Sequence, residues 1–123
     1  MITTTSIRRI VPNIYSDALE RSKEFYSEFL DLELAMDMGW ILTFVSKTNN
    51  TAQLSIFKND SGKAIDNTAV FLSIEVSDID SWYQRAKDKN IEITYPLTNE
   101  PWNVRRFFVK DPNGVTINLL MHL

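Results

Sequence analysis

The strongest constraint in this chain is a pattern written twice. "SDALERSKEFYSEFLD" places Leu19, Ser22, Phe25, Tyr26, Phe29 and Leu30 at three- and four-residue spacing, the apolar stripe of an amphipathic helix. "VSDIDSWYQRAKDKN" repeats such a stripe with Ile79, Trp82, Tyr83 and Ala86, so Trp82 is expected in the core. An extended, β-branched segment precedes each helix, "IVPNIYS" and then "AVFLSIEV". Three more follow each: "LELAMDM", "WILTFVSK" and "TAQLSIFK", then "IEITY", "RRFFVK" and "GVTINLLM". The expected helix starts, Ala18 and Asp78, are 60 residues apart (78 − 18), about half the chain. A repeat of that length is a pair of modules, the first over 7–58 and the second over 69–123, joined by the polar linker 59–68, "NDSGKAIDNT". Asp17 with Glu20, and Ser77 with Asp80, are the expected helix caps.

One helix beside one sheet covers one sheet face and leaves the other for solvent, a second sheet or a ligand. Strand alternation assigns the faces. On the last strand, Val115, Ile117, Leu119 and Met121 form a core face, and Thr116, Asn118, Leu120 and His122 the opposite one. Parity adds Arg9, Val11, Asn13 and Tyr15 from the first strand, and Phe71, Ser73 and Glu75 from the strand before the second helix. These sets are too aromatic for a plain solvent face and too polar for a core, as expected of a half-open cleft. "KDPNGV" has the Asp, Pro and Gly positions of a type I turn, and "LTNEPWN" reads as a loop carrying Trp102.

A length of 123 residues suits one compact domain, and 44% hydrophobic residues can supply its core. With no Cys, disulfides, thiolate nucleophiles and Cys-bound zinc are excluded. The formal charge of −3, with only the pairs Arg8-Arg9 and Arg105-Arg106 as basic clusters, argues against a nucleic-acid partner. The N-terminal "MITTTSIRRIVPNIYS" has no signal-like apolar region, and no stretch approaches the ~20 apolar residues of a membrane span. No membrane partner and a cytoplasmic location are therefore expected.

Three segments carry a family resemblance. "NIYSDALERSKEFYSEFLDLEL" is similar to the first-module opening, "FLSIEVSDID" to the second-module opening, and "PWNVRRFFVKDPNGVTINLL" to the C-terminal signature of the vicinal oxygen chelate superfamily, the fold of glyoxalases, bleomycin-resistance proteins and extradiol dioxygenases. The resemblance covers nearly the whole of 1–123. It implies a single α+β domain of two βαβββ modules forming a half-open mixed β-barrel around a cleft, and a homodimer. Catalytic members hold a divalent metal through His, Glu or Gln at four equivalent positions. Here these fall at Val11 (or Ile10), Ser55 (or Gln53), Phe71 and Asn118. A divalent ion needs several converging imidazoles or carboxylates, and this chain has one His. No metal and no other cofactor is expected.

The chain therefore resembles most the metal-free, bleomycin-resistance-like branch, which implies sequestration of a partly aromatic or cationic small molecule rather than catalysis. The expected ligand-binding residues are Asn13, Tyr15, Trp40, Glu75, Trp102, Arg106, Phe108 and Asn118. For several a structural role stands beside the functional one. Asn118 can bond a neighbouring strand, Trp40 can pack in the core with Leu42 and Phe44, and Trp102 can fill a dimer interface. Glu75 can be an edge residue in water. His122 can be a general base or a solvated terminal residue. The other functional class is a metal-dependent lyase, isomerase or dioxygenase, which would need Gln53, Glu75 and His122 to assemble a site of their own.

Overall fold

A computed structural model describes residues 4–123. The chain divides between Lys63 and Ala64 into two compact units. The first contains β1 (Asn13–Ser16), α1 (Leu19–Glu24), β2 (Glu33–Asp37), β3 (Ile41–Val45) and β4 (Gln53–Lys58). The second contains β5 (Phe71–Glu75), α2 (Ile79–Asp88), β6 (Ile93–Glu100), β7 (Val104–Lys110) and β8 (Thr116–His122). The helices begin 60 residues apart (79 − 19). Each unit has a four-stranded mixed sheet, in the order β1-β4-β3-β2 and β5-β8-β7-β6. In both, the first strand runs parallel to the last and the remaining pairs are antiparallel. This is the α+β, doubled βαβββ architecture, and neither sheet closes into a barrel.

The apolar stripes do what their spacing dictates. In the first unit Tyr26, Phe29, Phe44 and Ile56 are fully buried, with the Tyr26 and Phe44 rings 5.4 Å apart. After Glu24 the helix widens into a π turn over Phe25–Phe29, closed by Leu30 N–H on the Phe25 carbonyl at 3.1 Å. Phe25, Tyr26, Phe29 and Leu30 are all buried along this turn. In the second unit Ile79, Phe107, Val109, Ile117 and Leu119 are buried, and Tyr83 meets Phe107 edge-on at 5.0 Å. Trp82 departs from its expected core position. It lies at the margin of the stripe, half-buried, with the Arg85 guanidinium 5.9 Å from its ring.

The helix starts also differ from the expected caps. Ala18 is the N-cap residue of α1, and the Ser16 hydroxyl, two residues back, accepts its N–H at 2.8 Å. Ser22 donates to the Ala18 carbonyl at 2.8 Å, while Asp17 accepts from Asn59 instead. Asp78, not Ser77, starts α2, in the left-handed region at φ 53°. There its carboxylate accepts from the Ser81 hydroxyl at 2.7 Å, and Asp80 pairs with Arg105.

The turn at Asp111–Gly114 closes with Gly114 N–H on the Asp111 carbonyl. The buried Asp111 carboxylate accepts the N–H groups of Asn113 and Val115, each at 2.8 Å. The expected Leu97–Asn103 loop is mostly strand. β6 continues to Glu100, opposite Val104, and only Pro101–Asn103 turn. Asn103, left-handed at φ 67°, donates its N–H to the Glu100 carbonyl at 3.2 Å, which makes the reversal tight. Among the described residues no helix is long and apolar enough to cross a membrane.

Candidate functional site

Each sheet has one face that its helix does not cover, and the two faces are built differently. On the first, Asn13 lies across from Ser55 in the parallel β1–β4 pair. Ser55, buried, shares a 2.8 Å hydrogen bond with Thr43. Arg9 donates to Gln53 at 2.6 Å, and Gln53 in turn donates to the Asn50 carbonyl. Tyr15 and Trp40 flank Phe57, with ring centroids 6.1 and 5.8 Å away. Trp40 is 52% exposed, so the core role does not apply. It precedes β3, after the left-handed Gly39, and is outside the alternation that buries Leu42 and Phe44.

The open face of the second unit is an aromatic platform around one cation. Tyr95 stacks on Phe108 at 4.7 Å, and Phe71 meets Phe108 edge-on at 5.1 Å. The Arg106 guanidinium lies within 4.9 Å of the Phe108 ring, 5.1 Å of Trp102 and 5.6 Å of Tyr95. Its Nη2 donates to Glu100 at 3.0 Å, and the other Glu100 oxygen accepts the Tyr95 hydroxyl at 2.9 Å. Arg105, one residue away, turns to the helix side and donates to Asp80 at 2.7 Å. That bond holds the Asp80 carboxyl below its ordinary value and raises the Arg105 guanidinium.

Asn118 lies opposite Phe108 and beside Ser73 in the β8 register. It is 95% buried, its amide nitrogen bonds the Ser73 hydroxyl at 3.1 Å, and its Oδ1 has no partner. Arg106 Nε is likewise buried without a partner. At the outer end of the same face, Glu75 and His122 are both exposed and bond to each other.

Of the expected ligand-binding residues, Trp102, Arg106, Phe108 and Asn118 fall on one platform and Glu75 at its rim, while Asn13, Tyr15 and Trp40 belong to the first unit. Sequence reasoning missed Tyr95 and Glu100. Taking 97–103 as a loop removed Glu100 from the strand whose parity would have aimed it at Arg106.

The metal that the fold's catalytic members use can be tested against the donors present. Val11 and Phe71 have none, Ser55 is bonded to Thr43, and Asn118 offers one neutral amide. Glu75 and His122 make one carboxylate and one imidazole. Among the described residues no group of three His, Cys, Asp or Glu could hold an ion. The residues do not fit a catalytic divalent metal.

No functionally curated protein matches this chain. Among solved structures it is similar to TioX from Micromonospora sp. ML1, at 17% identity and a TM-score of 0.79, over 94% of this chain and 98% of that one. It is similar to a lactoylglutathione lyase from Agrobacterium tumefaciens, at 17% identity and 0.74, over 96% and 94%. A glyoxalase-superfamily member from Sphaerobacter thermophilus DSM 20745 overlays at 20% identity and 0.79, over 95% and 98%. These likenesses are of fold. The family model described as Glyoxalase/Bleomycin resistance protein/Dioxygenase superfamily matches residues 6–119, and with the doubled βαβββ units this chain belongs to that superfamily.

Proposed function

We propose that this chain is a metal-independent binding protein that sequesters a small, planar, partly aromatic molecule, as in the bleomycin-resistance-like branch of its superfamily. The observation that carries this is the chemistry at the four family ligand positions, Val11, Ser55, Phe71 and Asn118, which offer no imidazole and no carboxylate. The rings of Phe71 and Trp102, 53% and 57% exposed, add a surface on which a planar guest can stack. The proposal includes a homodimeric assembly, checked by light scattering on a sizing column.

The test is thermal unfolding in EDTA and with added Ni²⁺, Zn²⁺, Mn²⁺ or Fe²⁺, followed by a panel of planar probes. A ligand that binds only the folded state raises the melting temperature by mass action. No metal-dependent shift is expected, and a planar probe should give one. A shift of several degrees with one metal, reversed by chelation, would overturn the metal-independent function. It would point to Glu75 and His122 as ligands of a lyase or dioxygenase site.

A further inference from the structure

Three rings of the second unit converge on one point, and a side chain already occupies it. The Arg106 Cζ is 5.6 Å from the Tyr95 centroid, 5.1 Å from Trp102 and 4.9 Å from Phe108. Aromatic faces gathered around a point are the usual receptor for a cationic guest. Here the protein's own guanidinium, itself a cation, fills the receptor. The Glu100 carboxylate beside it is already engaged by Arg106 and the Tyr95 hydroxyl. An incoming cation would meet a fixed positive charge and rings whose faces are in use.

The same geometry suits the opposite charge. Arg106 Nε–H is a buried donor with no acceptor, and a lone buried donor gains most when an acceptor, above all an anionic one, is supplied. Of the rings around the guanidinium, Trp102 is the exposed one, and it stands in the short turn Pro101–Asn103. Beside it Phe108 is stacked on Tyr95, with ring centroids 4.7 Å apart.

We infer that Arg106 sets the charge selectivity of this face: it takes planar aromatic molecules bearing a carboxylate or similar anionic acceptor and rejects their cationic counterparts. This rests on the binding function proposed above, and it removes cations from the guests expected from the sequence.

Calorimetric titration with three probes of matched shape, 2-naphthoate, 2-naphthamide and 2-naphthylmethylammonium, separates the possibilities. The expected order is naphthoate, amide, ammonium, with naphthoate about ten-fold tighter than the ammonium probe. In Arg106→Met/Glu100→Gln, which removes one charge of each sign, naphthoate binding should fall to the level of the amide. Arg106→Lys keeps the charge without the Nε donor, so it should still reject the ammonium probe while binding naphthoate more weakly. Circular dichroism checks that both variants fold, and if the double variant does not, Arg106→Lys alone decides. Equal binding of all three probes, or unchanged naphthoate binding in the variants, would overturn the selectivity and leave the binding function standing. If no probe of any charge binds, both fall together.

Discussion

The two units share a topology but not a strategy for their open faces. On the first, polar groups satisfy one another, Thr43 with Ser55 and Arg9 with Gln53. On the second, Arg106 Nε and Asn118 Oδ1 are buried and unpartnered. Buried polar groups are nearly always bonded, so exceptions gathered on one face need a reason. The core under each sheet is built by the same rule. The difference is therefore specific to the open faces, and it is the reason the binding proposed above is assigned to the second.

The largest effects test the part the units share. Phe44 on β3 lies against Tyr26, and Phe107 on β7, the equivalent strand, lies against Tyr83. Both Phe residues are fully buried. Phe44→Ala and Phe107→Ala should each lower stability by about 3–5 kcal/mol in urea unfolding. A much smaller loss at one would show that the two cores are not equivalent.

Next comes the contrast between two arginines. Glu100, with a side chain 8% exposed, depends on Arg106 for its charge partner. Arg106→Met should lower stability by about 2–3 kcal/mol, less than for a fully buried pair because Tyr95 still donates to Glu100. Adding Glu100→Gln should recover most of the loss. Arg9→Met, which breaks an exposed bond to Gln53, should stay within about 0.5 kcal/mol. Equal costs for the two single variants would erase the electrostatic difference between the faces.

Smaller still is the effect of removing one polar group from each face. Ser55→Ala breaks a satisfied bond to Thr43 and should cost about 1 kcal/mol. Asn118→Leu removes an orphaned acceptor and leaves Ser73, which is exposed, to water. Its cost should be near zero, and it is a stabilising change if Oδ1 is as isolated as its surroundings indicate. Chemical denaturation of the pair reads the sign directly.

The frame was legible in the sequence because it rests on periodicity. The stripe from Ser22 to Leu30 and the run Val115, Ile117, Leu119 are buried as their spacing requires. The helix caps were not legible, because a cap depends on the dihedral angles of one residue. Ser16 lies two positions before α1's N-cap residue, and nothing in the residue types distinguishes it from Asp17. The platform was half legible. Alternation put Arg106, Phe108 and Asn118 on one face, but Pro101 and Asn99 made the end of β6 look like a loop and hid Glu100, while the register shifts on both sides of Tyr95 hid its facing although it lay inside an expected strand. Parity grouped Trp40 with Leu42 and Phe44, which does not hold because Trp40 lies one residue outside its strand and is exposed.

The smallest expected effect contrasts one exposed carboxylate in each unit. Asp37 is lowered first by the Gly39 backbone N–H and then by Lys23, while Asp80 is lowered first by Arg105. A carboxyl held below its ordinary value of 3.8 contributes stability that is present above that value. The contribution is lost as pH falls through the folded-state value. Both sites therefore steepen the acid side of the stability profile, and Asp37→Asn or Asp80→Asn should each flatten it slightly. The partners discriminate further. Arg105→Met should return Asp80 toward its ordinary value, because the main cause goes with the side chain. Lys23→Met should leave Asp37 lowered, because the Gly39 N–H remains, bonded at 3.0 Å. Carboxyl carbon chemical shifts followed through acid titration read both values. If Asp37 relaxes as fully as Asp80, its carboxylate is held by the lysine and not by the turn.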